Sequence, residues 1–280
     1  MSRSVIAKEA IYAANSASHD EVAATHERDV PYLARTAARR FYWELLCHYA
    51  GGKDVWRDAH VLELGYGTGT YTDKILARNP ASFTGVDLSS GMLRRARQKH
   101  VDPRCEWIQA PLEEFAARDT QQYDLIHSFS FLHHLPDVSE GLAQIRSLLA
   151  PGGTYVALHE IVLPRTRTLV EKLDDKVEHV FGSGRFHGGS FPRRLWQALP
   201  GRLTGYRPAQ SHPGERGQNL VDYQLNDRFD LATRAGGDVE VHGYSYLAYP
   251  WLRVFSAPVN HRALVLRKNA SRDGATANKS

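Results

Sequence analysis

Between Val61 and Glu160, short apolar runs alternate with helical stretches, and this rhythm restricts the fold more than any other feature of the chain. "HVLELGY" reads as a strand, "YTDKILARN" as a helix, "SFTGVDL" as a strand and "GMLRRARQKH" as a helix. "CEWIQA" and "YDLIHSFS" are strands, "VSEGLAQIRSLLAPGG" is a helix with a Pro-Gly-Gly stop, and "TYVALHEIV" is a fifth strand. Strands that alternate with helices in this way predict a parallel sheet with right-handed crossovers.

Outside that stretch the organisation changes. Upstream, "DVPYLARTAARRFYWELLCHYAG" sets Tyr32, Leu33, Ala37, Phe41, Leu45 and Leu46 on one helical stripe that ends at Gly51 and Gly52. After Pro164 the rhythm breaks. "TLVEKLDDKVEHVFG" is an amphipathic helix, and a Gly-, Pro-, Arg- and aromatic-rich segment follows to about Asn226. "DRFDLATRAGG" reads as a helix, and "VEVHGYSYLAY" and "HRALVLR" are two closing β-like runs. The expected division is an N-terminal helical cover at 1–52, a core formed by 53–165 and 227–268, an inserted cap at 166–226 and a polar, disordered tail at 269–280.

Composition excludes several classes. There is no run of about 18 apolar residues, so no membrane span is expected. The N-terminus lacks the apolar core of a secretory signal, and Cys47 and Cys105 stand far apart in sequence, against a disulfide framework or a zinc knuckle. A cytoplasmic protein is expected. The net charge is only +4, and its basic pairs (Arg39-Arg40, Arg94-Arg95, Arg193-Arg194) read as solvated helix faces rather than a nucleic-acid surface.

The first strand runs into "VLELGYGTGTYT", a glycine loop that lets backbone approach a ligand closely. Counted from Gly65, a dinucleotide fingerprint would need glycine at Thr70, and a phosphate loop would need lysine after the glycines, which does not appear until Lys74. The pattern is instead E-x-G-x-G-x-G, with Glu63 ahead of Gly65, Gly67 and Gly69. A carboxylate there suits a cationic amino group. Asp87, which ends the second strand, can accept both hydroxyls of a ribose. The ligand therefore reads as a nucleoside with a cationic amino-acid arm, which is S-adenosylmethionine.

"VLELGYGTG", "FTGVDLSSGML", "YDLIHSFSFLHHLPD" and "LLAPGGTYVALHE" resemble, in order and spacing, the motifs of class I S-adenosylmethionine-dependent methyltransferases. The resemblance implies an α/β, Rossmann-like, doubly wound, mostly parallel sheet of about seven strands with an antiparallel last strand, plus N-terminal helices and an inserted helical cap. It also implies site residues. Glu63, Gly65, Gly67 and Gly69 would wrap the methionyl arm, and Asp87 the ribose. Leu88 and Met92 would lie near the adenine, and Ser128 and Phe129 would line the adenosine or sulfonium side. Tyr66 would shield the ligand or touch it. Where many members carry an acid after the third strand, this chain has Ala110, so the adenine amino group would meet Gln109, Leu112 or backbone.

Methyl transfer is an in-line displacement that needs alignment and exclusion of water, and no metal. An oxygen acceptor also needs a base. Candidates are His133 and His134 after the fourth strand, and His159 or Glu160 at the end of the fifth, of which strand alternation turns one to the cleft. Asp174, Asp175 and Glu178 sit at helical spacing and read as a solvated face rather than a magnesium site. Aromatics in the N-terminus, the insertion and the closing runs, among them Tyr12, Phe181, Trp196 and Tyr249, suggest a lidded apolar pocket. The expected function is methylation of a small apolar or aromatic secondary metabolite, with oxygen slightly ahead of carbon or nitrogen, and with a homodimer left open. The alternative is a protein that keeps the cofactor but catalyses a cyclisation or rearrangement. A nicotinamide oxidoreductase is disfavoured by Thr70.

Overall fold

The structure, a computed structural model, describes residues 8–29, 33, 36–161, 239–244 and 261–269. Helices α1 (Lys8–Val22), α2 (His26–Asp29) and α3 (Thr36–Ala50) precede strand β1 (His60–Leu64). Then come α4 (Thr72–Leu76), β2 (Ser82–Asp87), α5 (Ser90–Lys99), β3 (Cys105–Gln109), α6 (Leu112–Arg118) and β4 (Tyr123–Phe129). A short 3-10 turn (Leu132–His134), α7 (Val138–Leu148) and β5 (Leu149–Ile161) follow, and β6 (Val239–Tyr244) and β7 (His261–Arg267) complete the sheet.

The strand order is β3-β2-β1-β4-β5-β7-β6. Strands β1 to β5 are parallel, and β7 runs antiparallel to both β5 and β6. Strand order reverses between β1 and β4, so the crevice beyond their carboxyl ends is where such a sheet holds a ligand. Alternation along each strand divides the core in two. Leu62, Leu64, Ile126, Tyr155 and Leu264 pack with residues of α6 and α7. Val61, Phe83, Leu125, Val156 and Leu158 pack with Tyr42, Trp43, Trp56 and Ile75 on the other face. No helix among the described residues is long and apolar enough to cross a membrane.

Four local readings are corrected. Helix α3 buries Ala38, Tyr42, Trp43, Leu46, Cys47 and Ala50, whereas Ala37 is exposed and Phe41 and Leu45 are half-buried. The buried stripe lies one residue on because it gathers the larger rings of Tyr42 and Trp43. The crossover from β3 to β4 contains a helix, α6, whose only buried side chains are Leu112 and Phe115. The Pro-Gly-Gly run lies inside β5, with Gly152 at φ +82° and its N–H donated to Lys268 O at 2.8 Å. Strand β5 also slips register against β7 between Ala157 and Glu160, where His159 takes φ +58°. A bulge interrupts the two-residue alternation of side chains. Thus His159 meets Tyr42 and Phe129, while Glu160 turns to the segment after β4.

Candidate functional site

The turn after β1 is left-handed at three alternate positions: Gly65, Gly67 and Gly69 have φ of +65°, +59° and +71°. The N–H groups of Gly65 and Tyr66 both donate to Val86 O, which ties the loop to β2. A Cβ at Gly65 would stand 2.6 Å from Phe131 Cδ2, and one at Gly69 would crowd Tyr66, His100 and Thr72 at 2.7–2.8 Å. At Gly67 it would meet nothing within 4 Å among the described residues. The loop therefore needs its outer glycines for packing, while the middle one presents bare backbone to open space.

Asp87 closes the other side. Its Oδ2 accepts from Gly67 N at 2.7 Å and its Oδ1 from Ser89 N at 2.8 Å. Each carboxylate oxygen retains a lone pair beyond these, enough for a diol. Burial pushes the Asp87 carboxyl up, while His19 and the two backbone donors pull the other way. The N-terminal helix reinforces this corner: Asp20 accepts from Ser89 Oγ at 2.5 Å and from Gly91 N at 2.7 Å, and Ser16 Oγ donates to Leu88 O at 3.2 Å. Glu27 accepts from Thr68 Oγ1 in the glycine loop at 2.5 Å and from Lys99 at 2.8 Å.

Glu63 lies at the base of the crevice, 3% exposed. Its Oε2 has no hydrogen-bond partner among the described residues, and His127 Nε2 is 3.9 Å away. Burial, with Asp87 nearby, raises its carboxyl well above the usual range, against the pull of Lys99. A buried carboxyl that lacks a donor is costly for a fold to keep. It fits a site completed by a cationic ligand group.

At the ends of β4 and β5, Ser130 Oγ lies 2.6 Å from His159 Nδ1. The His159 ring stacks on Phe129 at 5.5 Å with Tyr42 edge-on at 5.5 Å. Glu160 is fully buried and already engaged: Oε1 accepts from Phe131 N and Leu132 N at 3.0 Å each, and Oε2 lies 2.9 Å from His133 Nδ1. Glu160 and His133 therefore anchor the 3-10 turn. His134 packs against His133 and His19, with burial holding its ring well below the ordinary histidine range.

The carboxyl ends of β1, β2, β4 and β5 thus carry Glu63, the three glycines, Asp87, Phe129 and His159. The other residues expected near the cofactor have protein partners of their own. Tyr66 is buried beneath the loop against Trp107, ring centroids 4.5 Å apart, so its side chain is core. Met92 and Leu112 are core residues too, and buried Ser128 is bonded to Tyr155 at 2.8 Å. The Leu88 carbonyl is held by Ser16 and by Gln109 Nε2, while Ala110 N donates to Asp87 O. Tyr12 is tied by its hydroxyl to Glu113. Segment 166–226, with Asp174, Asp175, Glu178, Phe181 and Trp196, lies outside the described residues, as does Tyr249. His127, Ser130, Asp20 and Glu27 carry no motif, and register or tertiary packing alone brings them to the site.

Residues 61–153 match the family described as "Methyltransferase domain". The chain is 34% identical over 95 residues to the ubiquinone biosynthesis O-methyltransferase of Salmonella arizonae, covering 33% of this chain and 39% of that protein. It is 35% identical over 106 residues to the lovastatin nonaketide synthase, polyketide synthase component, of Aspergillus terreus, covering 35% of this chain and 4% of that one. The chain thus spans well under half the length of these curated relatives. The crystal structure of the plantazolicin methyltransferase BpumL, in complex with a monoazolic desmethylPZN analog and SAH, superposes with a TM-score of 0.52 at 14% identity. That match covers 93% of this chain and 97% of BpumL, and it shows the shared fold. Residues 61–153, with the E-x-G-x-G-x-G loop and the acid ending β2, are thus similar to a methyltransferase domain, and they lie on a sheet of the order β3-β2-β1-β4-β5-β7-β6.

Proposed function

We propose that the protein transfers the methyl group of S-adenosylmethionine to a small-molecule acceptor, with oxygen as the favoured acceptor atom. One observation carries this reading: a buried, donorless Glu63 carboxyl beside a left-handed glycine loop whose middle residue borders open space. Glu63 would hold the ammonium of the methionyl arm, the backbone at Gly67 would border that arm, and Asp87 would bind the ribose diol. The cofactor, when bound, supplies a methyl group already activated on a sulfonium. The chain's own task is then to align the acceptor, exclude water and remove a proton. His159, held at Nδ1 by Ser130 Oγ, is the candidate for taking the hydroxyl proton. Residues 166–226, which follow on from β5, would cover the acceptor and set its identity. The names of the two relatives, a quinone-pathway O-methyltransferase and a polyketide synthase component, support a phenolic or polyketide-like acceptor.

Calorimetry with S-adenosylmethionine, S-adenosylhomocysteine and NAD tests the cofactor, and transfer of labelled methyl to a panel of phenols and polyketide-like acceptors tests the chemistry. Micromolar binding of the first two ligands, none of NAD, and label on oxygen are expected. Cofactor binding with no label on any oxygen, nitrogen or carbon acceptor would overturn the proposal in favour of a non-methylating use of the same fold.

A further inference from the structure

Glu63 and His127 are register partners on β1 and β4, the two strands that flank the reversal of strand order. Both are buried, at 3% and 2% exposure. Glu63 Oε2 and His127 Nε2 face each other at 3.9 Å, beyond hydrogen-bond reach, and neither atom has another partner among the described residues. Two facing orphans in one dry spot are rare in a finished core, because each forfeits its hydration without a replacement. The Trp56 ring stands edge-on to His127 at 5.9 Å and brings no charge.

A charged imidazolium–carboxylate pair would close this gap. The surroundings do not favour one. Burial raises the Glu63 carboxyl well above its ordinary range and pushes His127 down to about 3. Among the described residues, the charged or titratable groups around Glu63 are Asp87 on β2, which opposes ionisation, Lys99 on α5, which favours it, the Tyr66 hydroxyl and His127 itself. Burial thus sets both groups toward their neutral forms.

We propose that His127 is a positioning residue for Glu63: when the cofactor's ammonium group arrives, the Glu63 carboxyl gives one proton to solvent, and the neutral imidazole closes in to donate its Nε2–H to Oε2. The inference rests on the S-adenosylmethionine reading above. Charge balances: the ligand's cation meets a new carboxylate, one proton leaves, and His127 stays neutral. A neutral donor suits this place better than a lysine or arginine, since it steadies the carboxylate without competing with the ligand's own cation. The carboxylate then appears only in the loaded site, so a bare buried charge is never present. A consequence is that ligands with the amino-acid arm bind with a pH dependence that the nucleoside part alone lacks.

Titration calorimetry of the full chain decides this, with S-adenosylhomocysteine in two buffers of different ionisation enthalpy, between about pH 5 and about pH 7.5. The wild type is expected to release up to about one proton per ligand, with Kd tightening by at most about tenfold per pH unit before levelling off. Methylthioadenosine, which lacks the amino-acid arm, is expected to show neither effect. His127→Leu should weaken S-adenosylhomocysteine binding about tenfold, as for loss of one hydrogen bond to a charged acceptor, and leave methylthioadenosine unchanged. His127→Gln, which keeps an N–H donor, should stay within about threefold of wild type. Proton-neutral, pH-flat binding of S-adenosylhomocysteine to the wild type would overturn the inference, as would a folded His127→Leu protein with unaltered affinity. Should His127→Leu not fold, the wild-type proton count and the His127→Gln profile still decide. Failure of both ligands to bind would instead overturn the cofactor reading on which the inference stands.

Discussion

Ser130 and His159 hold one another across the ends of β4 and β5: Oγ of the serine lies 2.6 Å from Nδ1 of the histidine, and both backbones are left-handed, at φ +52° and +58°. For residues other than glycine this conformation costs about 1–2 kcal/mol each. Ser130 N donates to Leu158 O at 3.0 Å, and Phe129 stacks on the imidazole at 5.5 Å. Strain of this kind persists only where the surroundings over-determine it, and it gathers at functional sites.

If His159 is the base, His159→Gln should lower kcat for an oxygen acceptor by about 10²–10⁴-fold, the range for a lost general base. Cofactor Kd should stay within about threefold. Ser130→Ala frees the ring without removing it and should cost about fivefold, the worth of one neutral hydrogen bond. Single-turnover transfer at saturating cofactor separates the two. An unchanged rate in folded His159→Gln protein would remove His159 from the chemistry.

Glu160 should behave in the opposite way. Its carboxylate takes two backbone N–H groups and faces His133 Nδ1 while fully buried. In Glu160→Gln the amide cannot present acceptors in both directions, so one partner is left facing an N–H or nothing. The expected result is a stability loss of about 3 kcal/mol, read from the denaturant midpoint. Protein that remains folded should turn over at close to the wild-type rate. A collapse of kcat without loss of stability would make Glu160 the base.

These two residues also show what a single chain discloses about its own site. Strand period, loop composition and the acids at strand ends are local properties, so the sheet, the glycine loop, Glu63 and Asp87 follow from residue order alone. Register is not local. His127 matters because β4 pairs with β1 so that it faces Glu63, and nothing near His127 in the chain signals that pairing. The bulge at His159 defeats simple alternation, which cannot foresee a left-handed residue within a strand. Tyr66, Met92, Leu112 and Ser128 occupy motif positions whose side chains turn into the core, a distinction that depends on packing. Asp20 reaches Ser89 and Gly91 only because α1 lies against α5.

Asp87→Ala tests the ribose contact. Each charge-assisted hydrogen bond lost to the diol should cost roughly 1.5–3 kcal/mol of cofactor binding. The folded protein should also lose stability, since Gly67 N and Ser89 N are left without their acceptor. Kd for S-adenosylhomocysteine and the thermal midpoint report the two effects separately. An unchanged Kd in a folded variant would show that Asp87 serves the loop and not the ligand.

Gly65→Ala and Gly67→Ala should fail in different ways, although both glycines are left-handed at nearly the same φ. A Cβ at either position carries about 1–2 kcal/mol of backbone strain. At Gly65 the methyl would also stand 2.6 Å from Phe131 Cδ2. That ring cannot retreat freely, because Phe131 N is bonded to Glu160 and the following turn is fixed by the same carboxylate. Gly65→Ala should therefore lose about 2–4 kcal/mol of stability, strain plus overpacking. At Gly67 the methyl would meet no atom of the described residues within 4 Å, so against them stability should fall by the strain alone. If the amino-acid arm passes over the loop as proposed, the methyl would enter its space, and S-adenosylhomocysteine affinity should drop by about tenfold or more, roughly 1.4 kcal/mol. Denaturation curves and calorimetry on the two variants give four numbers. The expected pattern is a large stability loss at Gly65 and a large affinity loss at Gly67. Full cofactor affinity in Gly67→Ala would mean that the ligand does not pass over the middle of the loop.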